Sequence, residues 1–353
     1  MMNSKIIGTG SYIPSEVKNN NAFLDHLFLD IEGNKIQSKN EEIIDKFESI
    51  TGIKERKYVT NGMKSSDIAT KASISAIKSS SVNPETIDYI ILAHNIGDVT
   101  QGSNQLDAMP SLASRVKSKL GIENPNCVAY DILFGCPGWL EGVIQANAFI
   151  KAGIANRCLV IGSETLSRVI DSNDRDGMIF ADGAGAVIIE SSNKSDGVLS
   201  HKTVTYSNND EANYICYGKS NNLNSDDTKY IKMQGRKVYE FALNKVPNAM
   251  KKCFDECGHD IKDLKKIFIH QANLKMDEAI VKRFYKLYDL KTPKDVLPMN
   301  IEVFGNSSTA TIPTLLDLVI KKKYNGHEIK KGDIILFASV GAGMNINAVS
   351  YQY

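Results

Sequence analysis

Long apolar runs are missing from this chain. No stretch of 18 apolar residues occurs, and the first residues, MMNSKIIGTG, lack an apolar signal segment. A membrane-spanning helix is not expected, and the cytoplasm is the simplest compartment. Charge of one sign is missing too. The 42 Lys and Arg against 41 Asp and Glu leave a formal net charge of +1, which gives no global pull toward nucleic acid. Cysteine is sparse, with six residues and no regular spacing, so a secreted disulfide framework is excluded. Cys253, Cys257 and His259 lie close together, yet no second CxxC-like pair accompanies them, and no metal site is expected. What is present is ordinary globular composition, 42% hydrophobic and 24% charged over 353 residues. That length suits two domains, or one large fold of two similar halves.

One stretch organises the rest, Asp131-Ile-Leu-Phe-Gly-Cys136-Pro-Gly-Trp-Leu-Glu-Gly142. Residues 126–133 read as a short strand and Trp139 to Ala152 as a helix, with Leu140, Val143, Ile144, Ala148 and Phe149 apolar. Gly135, Cys136, Pro137 and Gly138 make the turn between them. Pro137 costs no hydrogen bond in a first helical turn. Cys136 then faces the open N–H groups of a helix N-terminus, where a thiolate is stabilised. The local pattern alone leaves two readings open, a nucleophile or a buried structural cysteine.

Along the chain, Ile87 to His94 and Lys266 to Ile269 read as the covered strands of a parallel sheet. A helix precedes each, and each ends in a polar tip carrying His and Asn, IDYIILAHN in one case and LKKIFIHQAN in the other. This weak repeat points to a doubled α/β fold. Residues 95–110 read as a long loop. Residues 191–230 are dominated by Ser, Asn, Asp and Lys, with an isolated strand signal at His201–Tyr206, and read as the junction between halves spanning 1–195 and 196–353. The Ala181-Asp-Gly-Ala-Gly-Ala186 run reads as tight packing rather than a phosphate loop. Gly235 to Cys257 reads as a long helix interrupted at Pro247. Three polar groups then stand at element ends, Cys136, His270 and Asn306, where an α/β fold places chemistry.

Several longer pieces carry a family likeness. They are Thr51-Gly-Ile-Lys-Glu-Arg56, the Cys136 turn, Asp174-Arg175, Asp182-Gly-Ala-Gly185, His270-Gln-Ala-Asn273, Gly305-Asn306-Ser-Ser and Gly341-Ala-Gly343. With them the chain resembles, almost end to end, the β-ketoacyl-(acyl-carrier-protein) synthase III group of the thiolase-like condensing enzymes. The resemblance implies a five-layered αβαβα fold from two similar halves, a homodimer, and a catalytic set of Cys136, His270 and Asn306. It implies that Cys136 takes an acyl group from a thioester and that malonyl-acyl carrier protein then condenses with it, losing carbon dioxide. Backbone N–H groups of Cys136 and Ala342 would hold the tetrahedral oxygen, and His270 and Asn306 would donate to the enolate oxygen. No cofactor is implied beyond the acyl-coenzyme A or acyl-carrier-protein thioesters that serve as substrates.

The same resemblance assigns further positions. Arg175 matches a contact to the nucleotide of coenzyme A. Lys46 and Ile50 stand where the family usually has a Trp and an Arg clasping the adenine end, so acetyl-coenzyme A is expected to be a poor donor unless residues 26–46, longer than usual, replace the clasp. Met109 matches an aromatic that reaches across the dimer to floor the acyl pocket, and Met adapts to unusual shapes. Phe134 and Trp139 are expected to narrow the site. Lys275, Lys282 and Arg283, extended by Arg236, match a basic patch that meets acyl carrier protein. The departures keep a second job open, a specialised secondary-metabolite ketosynthase that joins an acyl thioester to a β-ketoacyl partner, perhaps with cyclisation. A non-catalytic partner subunit is disfavoured because Cys136, His270 and Asn306 are all present, and no general acid is read beside Cys136.

Overall fold

A computed structural model of the chain describes residues 3–60, 62–103, 105–324 and 326–353. Strand β1 (Asn3–Tyr12) is followed by a small ladder of β2 (Glu16–Asn19) with β3 (Glu55–Tyr58), which brackets helix α1 (Asn40–Thr51). Helix α2 (Ser65–Ser80) leads into β4 (Tyr89–Ala93). A two-residue ladder, β5 (Asp98–Val99) with β6 (Leu106–Asp107), then precedes α3 (Leu112–Lys119). Strand β7 (Val128–Ile132), helix α4 (Gly138–Lys151), β8 (Arg157–Thr165) and β9 (Asp182–Ser192) follow. Next come β10 (Gly197–Thr205), the hairpin of β11 (Ile215–Lys219) and β12 (Lys229–Met233), and α5 (Gly235–Asp255). The chain ends with β13 (Leu264–Ile269), α6 (Leu274–Lys286), α7 (Ile301–Phe304), α8 (Thr311–Ile320), β14 (Ile334–Gly341) and β15 (Asn345–Gln352).

Two sheets carry the architecture. The first has the order β1-β9-β8-β4-β7 and the second β10-β15-β14-β13. In the first, β1 and β8 both run antiparallel to β9, and β4 runs parallel to β8. The second repeats that pattern, with β10 and β14 antiparallel to β15 and β13 parallel to β14. The chain crosses from one sheet to the other between Ser192 and Gly197. The central strands are apolar through and through because both faces are covered, as in the fully buried Ile90-Ile-Leu-Ala93 of β4.

Helices fill the layers. α2 and α3 cover one face of the first sheet, and α5 with α6 covers the outer face of the second. Between the sheets lie α4 and α8, whose residues Leu140, Val143, Ile150, Leu315, Leu316 and Val319 share one core with strands of both sheets. A helix buried on nearly every side is hydrophobic nearly all round, and α8, Thr-Ile-Pro-Thr-Leu-Leu-Asp-Leu-Val-Ile, is the clearest case. The five layers are therefore helix, sheet, helix pair, sheet, helix. The two middle helices begin next to the two most conspicuous polar turns of the sequence, at Cys136 and at Asn306.

Three details extend the sequence reading. The strand signal at His201–Tyr206 falls in the edge strand β10, which starts earlier, at Gly197, and whose alternating exposure gives it a polar face. The long loop of 95–110 contains the short β5–β6 ladder, held by Arg115, which bonds Asp98 at 2.8 Å and Asp107 at 2.5 Å. The Pro247 interruption does not break α5, which runs unbroken from Gly235 to Asp255.

Candidate active site

The turn before α4 is built by close approach. Gly135 has φ +67°, and a Cβ there would come within 2.6 Å of the Ala342 nitrogen. A Cβ on Gly341 would lie 2.4 Å from the Cys136 nitrogen. Both positions require glycine for space, and Gly135 also for conformation. Asn345 ties the two turns together, donating from Nδ2 to the Ala342 carbonyl at 2.9 Å and to the Phe134 carbonyl at 3.4 Å. The left-handed residues of the second turn are Gly343 and Met344, at φ +76° and +48°. Ala342 thus stands beside Cys136 without needing the conformation that a Cβ would oppose.

His270 and Asn306 reach the same place from the second half. His270 follows β13 and is buried, with its N–H on the Ala338 carbonyl at 2.9 Å and its ring Nδ1 2.8 Å from the Thr311 hydroxyl. Thr311 Oγ1 also donates to the Ser308 carbonyl at 3.0 Å. The backbone of Asn306 is stitched to the first half, its N–H on Ile179 O at 3.0 Å and its carbonyl accepting from Ala181 at 2.8 Å. Its side-chain oxygen accepts the Ser308 N–H at 2.8 Å. With the oxygen so engaged, the NH2 end of the amide is the end left for a ligand. Ser308 Oγ in turn lies 3.1 Å from Cys136 Sγ. The segment 306–311 therefore connects all three residues singled out in the sequence.

Behind this segment sits a group that the sequence reading passed over. Glu164, in β8, is fully buried. It accepts from Asn95 Nδ2 at 2.6 Å, from the Asn95 N–H at 3.2 Å and from the Thr309 hydroxyl at 3.1 Å. Asn95 Nδ2 also donates to Ser308 Oγ at 2.8 Å. The available signal was an acid inside the otherwise apolar Arg157-Cys-Leu-Val-Ile-Gly-Ser-Glu164, since a buried carboxylate needs partners. Glu164 is not beside Cys136. Two side chains separate them.

Electrostatics follow from this enclosure. Burial pushes Glu164 up to about 7, against the pull of His94 and of its hydrogen bonds. Burial also lowers His270 to about 3, so its ring is neutral at ordinary pH. Cys136 keeps partial contact with solvent. Even so, the density of protein around it pushes its thiol up to about 12, with the Ser308 hydrogen bond pulling down and Glu164 pushing up. The helix end was expected to favour a thiolate. Desolvation is the larger effect, and the resting side chain is a thiol.

Comparison with known proteins decides the family. Residues 130–207 match the model of 3-Oxoacyl-[acyl-carrier-protein (ACP)] synthase III, and residues 254–353 match its C-terminal counterpart. A β-ketoacyl-acyl-carrier-protein synthase III of Neisseria gonorrhoeae is 33% identical, with 100% of both chains covered. One from Caldanaerobacter subterraneus subsp. tengcongensis is 34% identical over 96% of this chain and 94% of its own. The crystal structure of 3-oxoacyl-acyl-carrier-protein synthase III from Aquifex aeolicus superposes with a TM-score of 0.81 at 29% identity, covering 99% of this chain and 100% of that one. This chain belongs to the synthase III family.

Within that family frame, the remaining expected site residues fall into three groups. Phe134 stays at the Cys136 turn, partly buried at the margin of the central core. Trp139 does not rim the site. It is 1% exposed, lodged in the core edge-on to Phe337 with ring centroids 6.0 Å apart. Three residues past the cysteine on a helix, it points into the middle layer. Met109 stands apart from the cluster at the surface, 91% exposed in a single chain.

Lys46 and Ile50 lie on the exposed face of α1. Arg175 is also exposed, 3.9 Å from Asp176. The 26–46 excursion, which runs into α1, is bonded to the turn just before Arg175. Leu29 donates to Asn173 O at 2.9 Å, Asn173 Nδ2 to Leu27 O at 2.8 Å and Asn221 Nδ2 to Leu29 O at 2.9 Å. This brings the 27–29 stretch beside the turn that leads to Arg175. On the outer helices, Lys275, Lys282 and Arg283 are exposed along α6, and Arg283 also bonds Leu243 O and Asn244 Oδ1 at 2.9 Å each. Arg236, at the start of α5, pairs with Glu240 at 2.9 Å. Two open surface clefts, of about 360 and 370 Å³, are lined by α6 with the 292–299 loop and by the C-terminal strand end, and neither includes Cys136. No group of three His, Cys, Asp or Glu is placed to hold a metal among the described residues.

The raised pKa of Glu164 has a measurable sign. Its carboxyl holds a proton more tightly folded than unfolded, so its contribution is complete below about 4.5 and is lost as pH rises through about 7. Glu164→Gln keeps an acceptor for Asn95 and removes the titration. Between pH 4.5 and 7 the wild type should lose stability relative to this variant, by on the order of 3 kcal/mol. Urea unfolding at a series of pH values measures it. Parallel curves would show that Glu164 stays ionised in the folded chain.

Proposed function

We propose that this chain performs a decarboxylative Claisen condensation. An acyl group passes from a thioester to Cys136, and malonyl-acyl carrier protein then extends it to a β-ketoacyl thioester. The observation that carries this reading is the meeting of Cys136, His270 and Asn306 on the 306–311 segment, in a chain of the synthase III family.

The residues divide the work. His270, held through Nδ1 by Thr311, presents Nε2 to the reaction. A neutral imidazole there takes the thiol proton as the sulfur attacks, and returns it to the departing thiol. Backbone N–H groups of Cys136 and Ala342, on turns packed against one another, receive the tetrahedral oxygen. Malonyl thioester then loses carbon dioxide and its carbonyl oxygen gains charge. Asn306 NH2 and His270 donate to that oxygen, and the carbanion attacks the acyl group on sulfur. Neutral donors suit this step, because loss of carbon dioxide makes the carbanion and no strong base is required. The chemistry calls for no bound cofactor.

Substrate delivery follows from the surface. Lys275 and Lys282 lie seven residues apart on the outer face of α6, and with Arg283 and Arg236 they form a basic face suited to an acidic carrier-protein helix. The positions of Lys46 and Ile50 supply no aromatic or guanidinium clasp, which favours a carrier-bound or longer acyl donor over acetyl-coenzyme A. The specialised-ketosynthase reading draws on this same feature. A homodimer is supported by β7, the outer strand of the first sheet, with Leu133 70% and Met109 91% exposed beside it. A second copy laid along β7 would cover both and carry Met109 toward its partner's acyl pocket. No helix among the described residues is long and apolar enough to cross a membrane, and we place the activity in the cytoplasm.

Three experiments test this reading. Cys136→Ser should form no acyl adduct by intact-protein mass, whereas Asn306→Ala should acylate normally yet release carbon dioxide from malonyl-acyl carrier protein about 10²–10³ more slowly. Equal losses in both steps would remove Asn306 from the second. Lys275→Glu with Lys282→Glu should raise KM for malonyl-acyl carrier protein at constant kcat, with the difference shrinking in high salt. An unchanged KM would move the docking face elsewhere. Leu133→Asp should convert a sedimenting dimer to monomer, and an unaltered mass would place the interface off β7.

A further inference from the structure

The cysteine, histidine and asparagine account for one side of the sulfur. The other side is occupied by a line of polar side chains that the condensation scheme leaves unused. It runs from Glu164 through Asn95 to Ser308 and ends 3.1 Å from Cys136 Sγ.

With Glu164 ionised, counting hydrogens fixes the direction of each bond. Its oxygens then only accept, and they face Asn95 Nδ2, the Asn95 N–H and the Thr309 hydroxyl, which has the Ala93 carbonyl as its other acceptor at 3.2 Å. The NH2 of Asn95 therefore faces two acceptors, Glu164 Oε1 at 2.6 Å and Ser308 Oγ at 2.8 Å, and its carbonyl end cannot take that place. Ser308 Oγ receives an N–H from Asn95, so its single proton is left for another acceptor. The atom in reach is Cys136 Sγ. The backbone holds Ser308 in place for this, at φ +48° and with its N–H on Asn306 Oδ1 at 2.8 Å.

We propose that Ser308 is a catalytic residue whose hydroxyl donates to the Cys136 sulfur and stabilises the thiolate, and that Asn95 and Glu164 are positioning residues that fix its direction. The proposal rests on Cys136 being the nucleophile. The donor acts when sulfur carries charge. That occurs first when the thiol proton leaves, the sulfur bonds to the thioester carbonyl and the carrier thiolate departs to take up a proton. It occurs again when the extender carbanion attacks the acyl carbonyl and Cys136 leaves as thiolate. Between the two, the sulfur is a thioester and a weak acceptor. Burial opposes the thiolate here and the Ser308 bond works against that opposition. Of the titratable groups nearby, Glu164 from β8 acts on the sulfur from behind Asn95 and Ser308, and His270 from the end of β13 is held on Thr311 of the same segment. His94, bonded to Asp131 at 3.0 Å, stands behind Glu164.

The test needs no acyl substrate, so its failure is separate from failure of the condensation reading. The full chain is treated with iodoacetamide across a pH series, and alkylation is read from the mass of the Cys136 peptide. Ser308→Ala should move the midpoint up by about one unit and slow alkylation at neutral pH about tenfold. Asn95→Ala should shift it the same way. Glu164→Gln should shift it down, since Gln still accepts from Asn95 while the negative charge near the sulfur is gone. A purely structural role would not move the midpoint in opposite directions. Cys127, Cys158 and Cys253 are buried, and their continued protection in each variant reports an intact fold. An unchanged midpoint in folded Ser308→Ala overturns the proposal. A shift in Ser308→Ala with none in Asn95→Ala overturns the positioning part. If Ser308→Ala does not fold, the Asn95→Ala midpoint decides.

Discussion

The site depends on one close contact between the halves. Thr309 lies so near β8 that a Cβ on Gly162 would come within 2.2 Å of its carbonyl oxygen. On either side, the backbone of Asn306 is bonded to Ile179 and Ala181 ahead of β9. The segment that carries Asn306, Ser308 and Thr311 is thus seated on the first sheet although it belongs to the second half of the chain. Any side chain at 162 would lift it off. Sheet packing elsewhere tolerates adjustment by rotamers, whereas backbone against backbone has no side chain to give way.

That seating explains why the chemistry is enclosed. The two middle helices start at the two turns, so burying α4 and α8 between the sheets also buries the residues at their ends. Enclosure carries opposing consequences. It makes His270 a neutral group and Cys136 a reluctant acid. It also makes each remaining hydrogen bond stronger, because little water competes. The fold answers a buried reactive group with oriented donors, in keeping with the rule that buried polar atoms find partners.

Much of this was readable in advance. The apolar runs that became β4 and β13, and the polar residues at their ends, follow from burial on both sheet faces. Cys136, His270 and Asn306 stood out because small-residue turns flank them. β10 was legible in part, as the strand signal at His201–Tyr206, because the exposed face of an edge strand gives its surroundings the composition of a linker. Two features were hidden for physical reasons. Trp139 was placed near the reaction by its closeness in sequence, but Cys136 lies in the turn before α4, whereas Trp139 is on the helix itself and packs into the core against Phe337. The partners of Glu164 come from residues 69 and 145 positions away. No local pattern announces such a meeting, and only the anomaly of an acid in a covered strand hinted at it.

The Thr311 hydroxyl accepts the Gln271 N–H, touches the Ser308 carbonyl and the His270 ring, and owns a single proton. When that proton lies on the Ser308 carbonyl, His270 must carry its own hydrogen on Nδ1, and Nε2 is a bare lone pair. When the hydroxyl rotates toward the ring, Nδ1 becomes the acceptor and Nε2 bears the hydrogen. When Nε2 keeps a proton it has taken and the ring gives up its Nδ1 proton, rotation about this one C–O bond turns the hydroxyl to donate to the bared Nδ1, and a base becomes a donor at the same point in space with no heavy atom displaced. The first arrangement matches what a thiol losing its proton needs, and the second matches an enolate oxygen. An enclosed imidazole that stays neutral has only this tautomeric freedom, and the residue that sets it is a threonine at the first position of α8.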